Sequence, residues 1–141
     1  MAGGITNCDN WQQEVIKELS QFEHTDNLVI LNPRRENFPI DDPNASKEQI
    51  EWEYNWLCCC DIFSMYFCNS DSVQPICFYE LGRNLALMKC AVISVEEGFS
   101  RTNDVVVQTK LARNLPVYLD ATPKSHANHI YEMYKQFKGR K

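Results

Sequence analysis

The stretch Asp71–Leu87, DSVQPICFYELGRNLAL, is the most informative part of this chain. Pro75 suits the first turn of a helix, where its missing N–H costs nothing, and Asp71 or Ser72 can supply a capping oxygen. The spacing therefore predicts a helix that begins near Gln74. Its inward stripe is expected to hold four apolar residues at spacings of three and four, namely Phe78, Leu81, Leu85 and Met88.

Glu80 is the one carboxylate within this predicted helix, and it borders the apolar stripe. A glutamate there would be partly desolvated, and the helix dipole would stabilise its anion, which suits a nucleophile or a base. Gly82, two residues on, would let a ligand or a neighbouring backbone come close. The alternative is a surface glutamate that only complements the helix dipole.

The composition predicts one globular domain that spans residues 1–141. A hydrophobic fraction of 44% over 141 residues is ordinary for such a domain and can form a core. The net charge is −5 and the basic residues are mostly scattered, which argues against a nucleic acid polymer as partner. No apolar run is long enough to predict a membrane partner. A small polar ligand fits better.

Cysteine usage points to a reduced, cytoplasmic chain. The count of seven is odd, Cys58–Cys60 are consecutive, and no signal peptide precedes them. No cysteine or histidine spacing resembles a zinc site, so we expect no metal and no cofactor. His126 and His129 share a helix face and are expected to be exposed to solvent. A redox or metal role for the cysteines is the alternative.

Helical and strand patterns alternate along the chain. Helices are expected at 10–22, 46–58, 104–114 and 125–137, besides the one near Gln74, and buried strands at 28–31, 61–68, 91–95 and 117–119. This order predicts an α/β fold, a flavodoxin-like or Rossmann-like three-layer sandwich with a parallel sheet. Ligands bind such sheets beyond the carboxyl ends of the strands, where strand order reverses. Glu80 follows one of the loops expected there.

A second carboxylate, Glu53, lies in the helix expected at 46–58. Ser46 and Gln49 fit a capping box at the start of this helix. Glu53 falls on the same side as the predicted core stripe, which consists of Ile50, Tyr54 and Leu57. It either reaches water from the edge of that stripe or pairs with Glu80. Two carboxylates over one pocket are typical of glycosidic-bond chemistry, which needs no metal.

Three segments resemble a known family: AGGIT at 2–6 with the following Trp11, QIEWEY at 49–54, and QPICFYELG at 74–82. They are similar to the nucleoside 2-deoxyribosyltransferases, especially their divergent branch, and the resemblance spans about residues 2–95. It implies that Glu80, the glutamate of the ELG motif, is the nucleophile that takes the sugar from one nucleobase. A second base or water then receives the sugar, and Glu53 assists.

The resemblance also implies a set of residues that bind a nucleoside or nucleotide. Asn69, Asp71 and Gln74 are the candidates for the sugar hydroxyls. Gly3, Gly4, Asp9 and Trp11 are the candidates for the border of the base pocket. Family members often complete this pocket with the C-terminal region of a neighbouring subunit, so we expect a homo-oligomer. Here that region carries Tyr131, Tyr134 and the basic residues Lys138, Arg140 and Lys141.

Family members normally open with a full strand that ends in the AGG segment, whereas Met1 directly precedes Ala2 in this sequence. We therefore expect the first strand to be missing or truncated, which would leave its two neighbours about 10 Å apart. A catalytically impaired nucleotide-binding module is the alternative function under this interpretation.

Overall fold

The computed structural model describes residues 1–39, 41–87 and 89–139. Over these residues the chain forms three strands, β1 (Ala2–Gly3), β2 (Ile62–Phe67) and β3 (Cys90–Val95). It also forms five helices, α1 (Trp11–Leu19), α2 (Pro43–Cys59), α3 (Pro75–Ala86), α4 (Thr102–Arg113) and α5 (Pro123–Lys138). Met88, which was predicted on the α3 stripe, and the C-terminal Arg140 and Lys141 lie outside the described residues.

The strands form a parallel sheet in the order β1-β2-β3. Tyr118 adds an isolated parallel bridge to Ser94, at the position of the strand expected at 117–119. Side chains alternate between the two faces of β2: Phe63, Met65 and Phe67 pack with α3 and α4, whereas Tyr66 packs with α1 and α5. Helices therefore cover both faces, and the predicted α/β three-layer fold is confirmed.

The first strand is short rather than missing. Ala2 pairs with Met65 and Gly3 with Tyr66, so β1 occupies the place next to β2 for two residues only. The strand predicted at 28–31 is wrong, because this segment forms no strand and Val29 is 80% exposed. A hydrogen bond joins this segment to the residue before β1: the Met1 nitrogen donates to the Leu31 carbonyl at 2.7 Å. A parallel strand needs a paired neighbour, and β1 is too short to provide one.

Helix α2 begins earlier than its sequence pattern predicted. Asp42 is its N-cap and accepts a hydrogen bond from the Asn44 N–H, while Pro43 opens the first turn. An aspartate followed by proline is a strong start signal, so the capping box expected at Ser46 and Gln49 is wrong. Gln49 instead donates to the Pro33 carbonyl and to Glu53.

The predicted core stripe of α2 is also largely wrong. Leu57 is buried, but Ile50 and Tyr54 are more than half exposed. The inward line follows a period of four, through Ala45, Gln49, Glu53 and Leu57. Tyr54 gains a partner outside the core, because the Arg83 guanidinium lies 4.4 Å from the centre of its ring.

The prediction that His126 is exposed to solvent is also wrong. His126 is fully buried between α5 and the sheet, where its ring nitrogens bond the hydroxyls of Ser64 at 2.8 Å and Ser94 at 2.7 Å. Burial lowers the pKa of His126 to about 3, so the ring is neutral at physiological pH.

Cys8 and Cys68 form a disulfide, which corrects the prediction of a reduced chain. These cysteines follow neighbouring strands, so the fold brings together two residues that are 60 positions apart in the sequence.

Candidate active site

A pocket of about 230 Å³ opens beside the short strand β1. Its walls come from the turn after β1, from α2, from β2 and from the first two turns of α3. Both predicted carboxylates line it, Glu53 from α2 and Glu80 from α3. The fold therefore brings together two acidic residues that lie 27 positions apart in the sequence.

Local sequence explains how α3 presents Glu80. Pro75 opens the helix, as predicted, and Gln74 before it adopts a left-handed conformation with φ of 50°. The Ser72 hydroxyl accepts the Gln74 N–H at 3.1 Å, so Ser72 serves the turn before the helix rather than the helix itself. Cys77 and Glu80, one helical turn apart, then face the same pocket.

Glu80 is half-buried, and its pKa is raised to about 7. Burial is the largest cause, and the nearby charge of Glu53 adds to it, while Arg83 acts in the opposite direction. The sequence pattern favoured a stabilised anion through the helix dipole. In the folded chain, desolvation and the second carboxylate outweigh that effect. At neutral pH both protonation states of Glu80 are therefore populated.

The thiols in the pocket wall differ from Glu80 in this respect. Burial, followed by the charge of Glu80, raises the pKa of Cys77 to about 12, and burial also raises the pKa of Cys60. A thiol with such a pKa remains protonated at neutral pH and is a poor nucleophile. The carboxylates are thus better candidates than the thiols for a reactive group in this pocket. Among the described residues no cluster of three or more metal-ligating side chains occurs.

Gly3, Gly4 and Gln74 also line the pocket. Gly4 lies so close to Gln74 that an added Cβ would stand 2.7 Å from the Gln74 side-chain oxygen. Gln74 is 5% exposed and donates to the Cys68 carbonyl at 2.6 Å. Its side-chain oxygen finds no donor in the described part of the chain. This buried acceptor in the wall is suited to a ligand hydroxyl or amino group.

Four other predicted site residues do not line this pocket. Trp11 is buried in the core, and its indole N–H donates to the Gly4 carbonyl at 2.8 Å, so it holds the turn after β1. Asp9 is exposed, and its carbonyl accepts from Arg34. Asn69 and Asp71 are exposed in the loop after β2. A role for these four residues in binding stays a prediction.

Sequence reasoning missed the aromatic wall beside Glu53. Trp52 and Trp56 of α2 both line the pocket. They precede and follow Glu53 by one and three residues, so the segment WEYNW places two indole rings in the same pocket as the carboxylate. Two tryptophans this close to a helical glutamate would have been a usable signal, because indole rings form good walls for planar ligands.

The fold and the pocket together define an α/β protein in which two helices, α2 and α3, place two carboxylates in one pocket beside a parallel sheet. Comparison with known families then identifies it: residues 1–99 match the family described as nucleoside 2-deoxyribosyltransferase like. The match covers more than two thirds of the chain, which belongs to this family. No curated protein matches the sequence. No helix in the described ranges is long and apolar enough to cross a membrane.

Proposed function

We propose that this protein cleaves the N-glycosidic bond of a nucleoside or nucleotide and transfers the sugar to another base or to water. The observation that carries the proposal is the convergence of Glu53 and Glu80 on one pocket. Membership of the nucleoside 2-deoxyribosyltransferase-like family supports the same chemistry. We infer a homo-oligomer as a further prediction, whereas the Cys8–Cys68 disulfide removes the cysteine argument for a cytoplasmic location.

The proposed reaction has two steps, and Glu80 is its nucleophile. An ionised Glu80 oxygen bonds to the anomeric carbon of the sugar while the bond to the nucleobase breaks. The base leaves with the bonding electron pair and takes up a proton, a step in which we assign Glu53 the assisting role. A nitrogen of a second base, or a water oxygen, then attacks the anomeric carbon, gives up its proton and releases Glu80.

The walls of the pocket support a nucleoside-like ligand. Trp52 and Trp56 offer flat apolar faces for a nucleobase. The unpartnered oxygen of Gln74 offers an acceptor for a sugar hydroxyl or a base amino group. Gly3 and Gly4 let the turn after β1 pack closely against Tyr66, Trp11 and Gln74, which positions this wall of the pocket.

Substitution of the nucleophile is the direct test. The purified protein is incubated with deoxynucleosides, ribonucleosides and their monophosphates, with and without a free acceptor base, and released and exchanged bases are followed by chromatography. We expect turnover in the wild type and a loss of at least about 10³-fold in Glu80→Ala. Base exchange would indicate a transferase, and release without exchange a hydrolase.

The controls separate loss of chemistry from loss of fold. Glu51→Gln removes an exposed carboxylate from α2 that pairs with Lys47 at 3.7 Å, so it should leave turnover within about twofold. Heat unfolding should show that Glu80→Ala remains folded. Unchanged turnover in a folded Glu80→Ala protein would refute the assignment. Ligand binding without turnover in the wild type would identify a nucleotide-binding module instead.

A further inference from the structure

Gln49 contacts two walls of the candidate active site from outside the pocket. Its side-chain nitrogen Nε2 donates to Oε1 of Glu53 at 2.7 Å and to the Pro33 carbonyl at 2.9 Å. Glu53 and Pro33 both line the pocket, whereas Gln49 does not. One amide group thus joins helix α2 to the loop before it, at the position of the second carboxylate.

The chemistry of the two partners fixes the orientation of this amide. A backbone carbonyl and an ionised carboxylate can only accept hydrogen bonds, and the two N–H groups of Gln49 supply one bond to each. In the reverse orientation, Oε1 of Gln49 would face two acceptors. Glu53 therefore accepts through Oε1, and its second oxygen, Oε2, is not used by Gln49.

The geometry of α2 explains why this bond forms. Gln49 and Glu53 are four residues apart, so they lie one above the other on the inward line of the helix. Both residues are half-buried, where water competes less for a hydrogen bond than on an open surface. Among the described residues, Gln49 is the only hydrogen-bond partner of the Glu53 side chain. The orientation of this carboxylate therefore depends on one neighbour.

An amide at position 49 has a disadvantage that an apolar side chain would avoid. Oε1 of Gln49 is buried, and no donor reaches it within the part of the chain that the structure describes. A buried acceptor without a donor is unfavourable, and a methionine of similar length would have no such group. What the glutamine offers in return is its pair of N–H donors, which go to Pro33 and Glu53.

We propose that Gln49 is a positioning residue for Glu53 in the reaction proposed above, on which this inference rests. By holding Oε1, Gln49 fixes the orientation of the carboxyl group and leaves Oε2 available to the departing nucleobase. The bond to Pro33 fixes Gln49 in turn. Without Gln49, Glu53 would sample several rotamers, and only some of them would reach the base.

A double-mutant cycle separates this role from a general structural one. Gln49→Met keeps the length of the side chain but removes both donors, and its effect is measured in the wild type and in Glu53→Ala. We expect kcat/KM to fall by at least about tenfold in the wild-type background but to change by less than about twofold in Glu53→Ala. The substrate is the one that the wild type turns over best. Glu53→Ala retains Glu80, and single-turnover conditions with excess enzyme measure its residual activity.

Two further variants control for the fold. Gln13→Met makes the same exchange at an exposed position of α1 outside the pocket, and it should leave kcat/KM within about twofold of the wild type. Heat unfolding shows whether each variant is folded. If Gln49→Met does not fold, Gln49→Glu takes its place in the cycle, because it keeps the size and polarity of the side chain but has no N–H donor.

Two results would overturn the inference while leaving the proposed function intact. An equal loss from Gln49→Met in both backgrounds would mean that Gln49 acts independently of Glu53. An unchanged kcat/KM of a folded Gln49→Met in the wild-type background would mean that Glu53 needs no such support. Absence of turnover in the wild type, by contrast, would refute the proposed function and this inference together.

Discussion

Glu80 has a pKa of about 7 because burial and the charge of Glu53 act together on one carboxyl group. Such a group keeps enough basicity to attack carbon, yet about half of it is ionised near neutral pH. Cys77, one turn earlier in the same helix, stays protonated in the same surroundings. Environment thus distinguishes two potential nucleophiles that share one face of α3.

The pH dependence of turnover should report the pKa of Glu80. If the ionised form attacks the sugar, kcat/KM should rise with pH and level off above about pH 7. Glu53→Gln removes a negative charge that raises this pKa, so the rising limb should move to lower pH. The measurement is kcat/KM from pH 4.5 to 9. Glu51→Gln is the control and should not shift the rising limb of kcat/KM. If Glu53→Gln does not shift it either, the pairing of Glu53 with Glu80 is contradicted.

The same pKa should make stability depend on pH. Unfolding returns the Glu80 pKa from about 7 to its ordinary value of 4.5, so between these values the folded state holds a proton that the unfolded state has lost. The free energy of unfolding should therefore fall as pH rises through this window. Glu80→Gln does not titrate at this position. Its free energy of unfolding, relative to that of the wild type, should therefore be higher at pH 8 than at pH 4 by on the order of 1–2 kcal/mol. Urea unfolding at pH 4 and pH 8 gives the comparison, and an equal difference at both pH values would contradict it.

Among the elements, the contact between the end of β1 and its neighbours depends on glycine. Gly3 has φ of 150°, and an added Cβ would overlap the Tyr66 carbonyl oxygen and lie 2.7 Å from the Trp11 ring. This close approach holds the two-residue strand against β2 and the indole. The turn that borders the candidate active site therefore depends on the missing side chain of Gly3.

Substitution of two glycines by alanine should have opposite effects. Gly3→Ala should lower the free energy of unfolding by about 2–4 kcal/mol, because the Tyr66 backbone or the Trp11 indole must move to make room for the methyl group. Gly82, inside α3, has nothing within 4 Å of an added Cβ, so Gly82→Ala should raise it by about 0.5–1 kcal/mol. Urea unfolding of both variants measures the effects. A neutral Gly3→Ala would mean that β1 is not held in this way.

At the scale of the whole molecule, the Cys8–Cys68 disulfide joins the segments that follow β1 and β2. It closes a loop of 60 residues that contains all of α1 and α2. Cys68 also contacts the pocket wall, since Gln74 donates to its carbonyl. The link therefore constrains most of the N-terminal half of the chain, including the turn beside the candidate active site.

Loss of this disulfide should destabilise the fold. Cys8→Ser should lower the free energy of unfolding by about 2–4 kcal/mol without reductant, mainly because the unfolded chain is less constrained. Dithiothreitol converts the disulfide to two thiols and is itself oxidised to a cyclic disulfide, so it should bring the wild type down to the variant. Cys58→Ser removes an exposed free thiol and should have little effect. Equal stability of wild type and Cys8→Ser without reductant would show that no such constraint exists in solution.

Local patterns predicted much of this protein. The start of α3 at Pro75, the closing helix α5, and the alternation of helices with parallel strands all follow from signals within a few residues. The placement of Glu80 near the opening of α3 belongs to this group, because helix periodicity fixes which side chains share a face. The sequence by itself thus determined the fold class and its leading candidate residue.

Only the tertiary structure decided the features that depend on distant segments. His126 is buried because Ser64 and Ser94, on neighbouring strands, satisfy both of its ring nitrogens. The segment 28–31 forms no strand because its neighbour β1 is only two residues long, although its own residues favour one. Exposure of the α2 stripe and the Cys8–Cys68 link likewise arise from packing between elements. Periodicity reports which residues prefer burial, but the available partners determine which of them are buried.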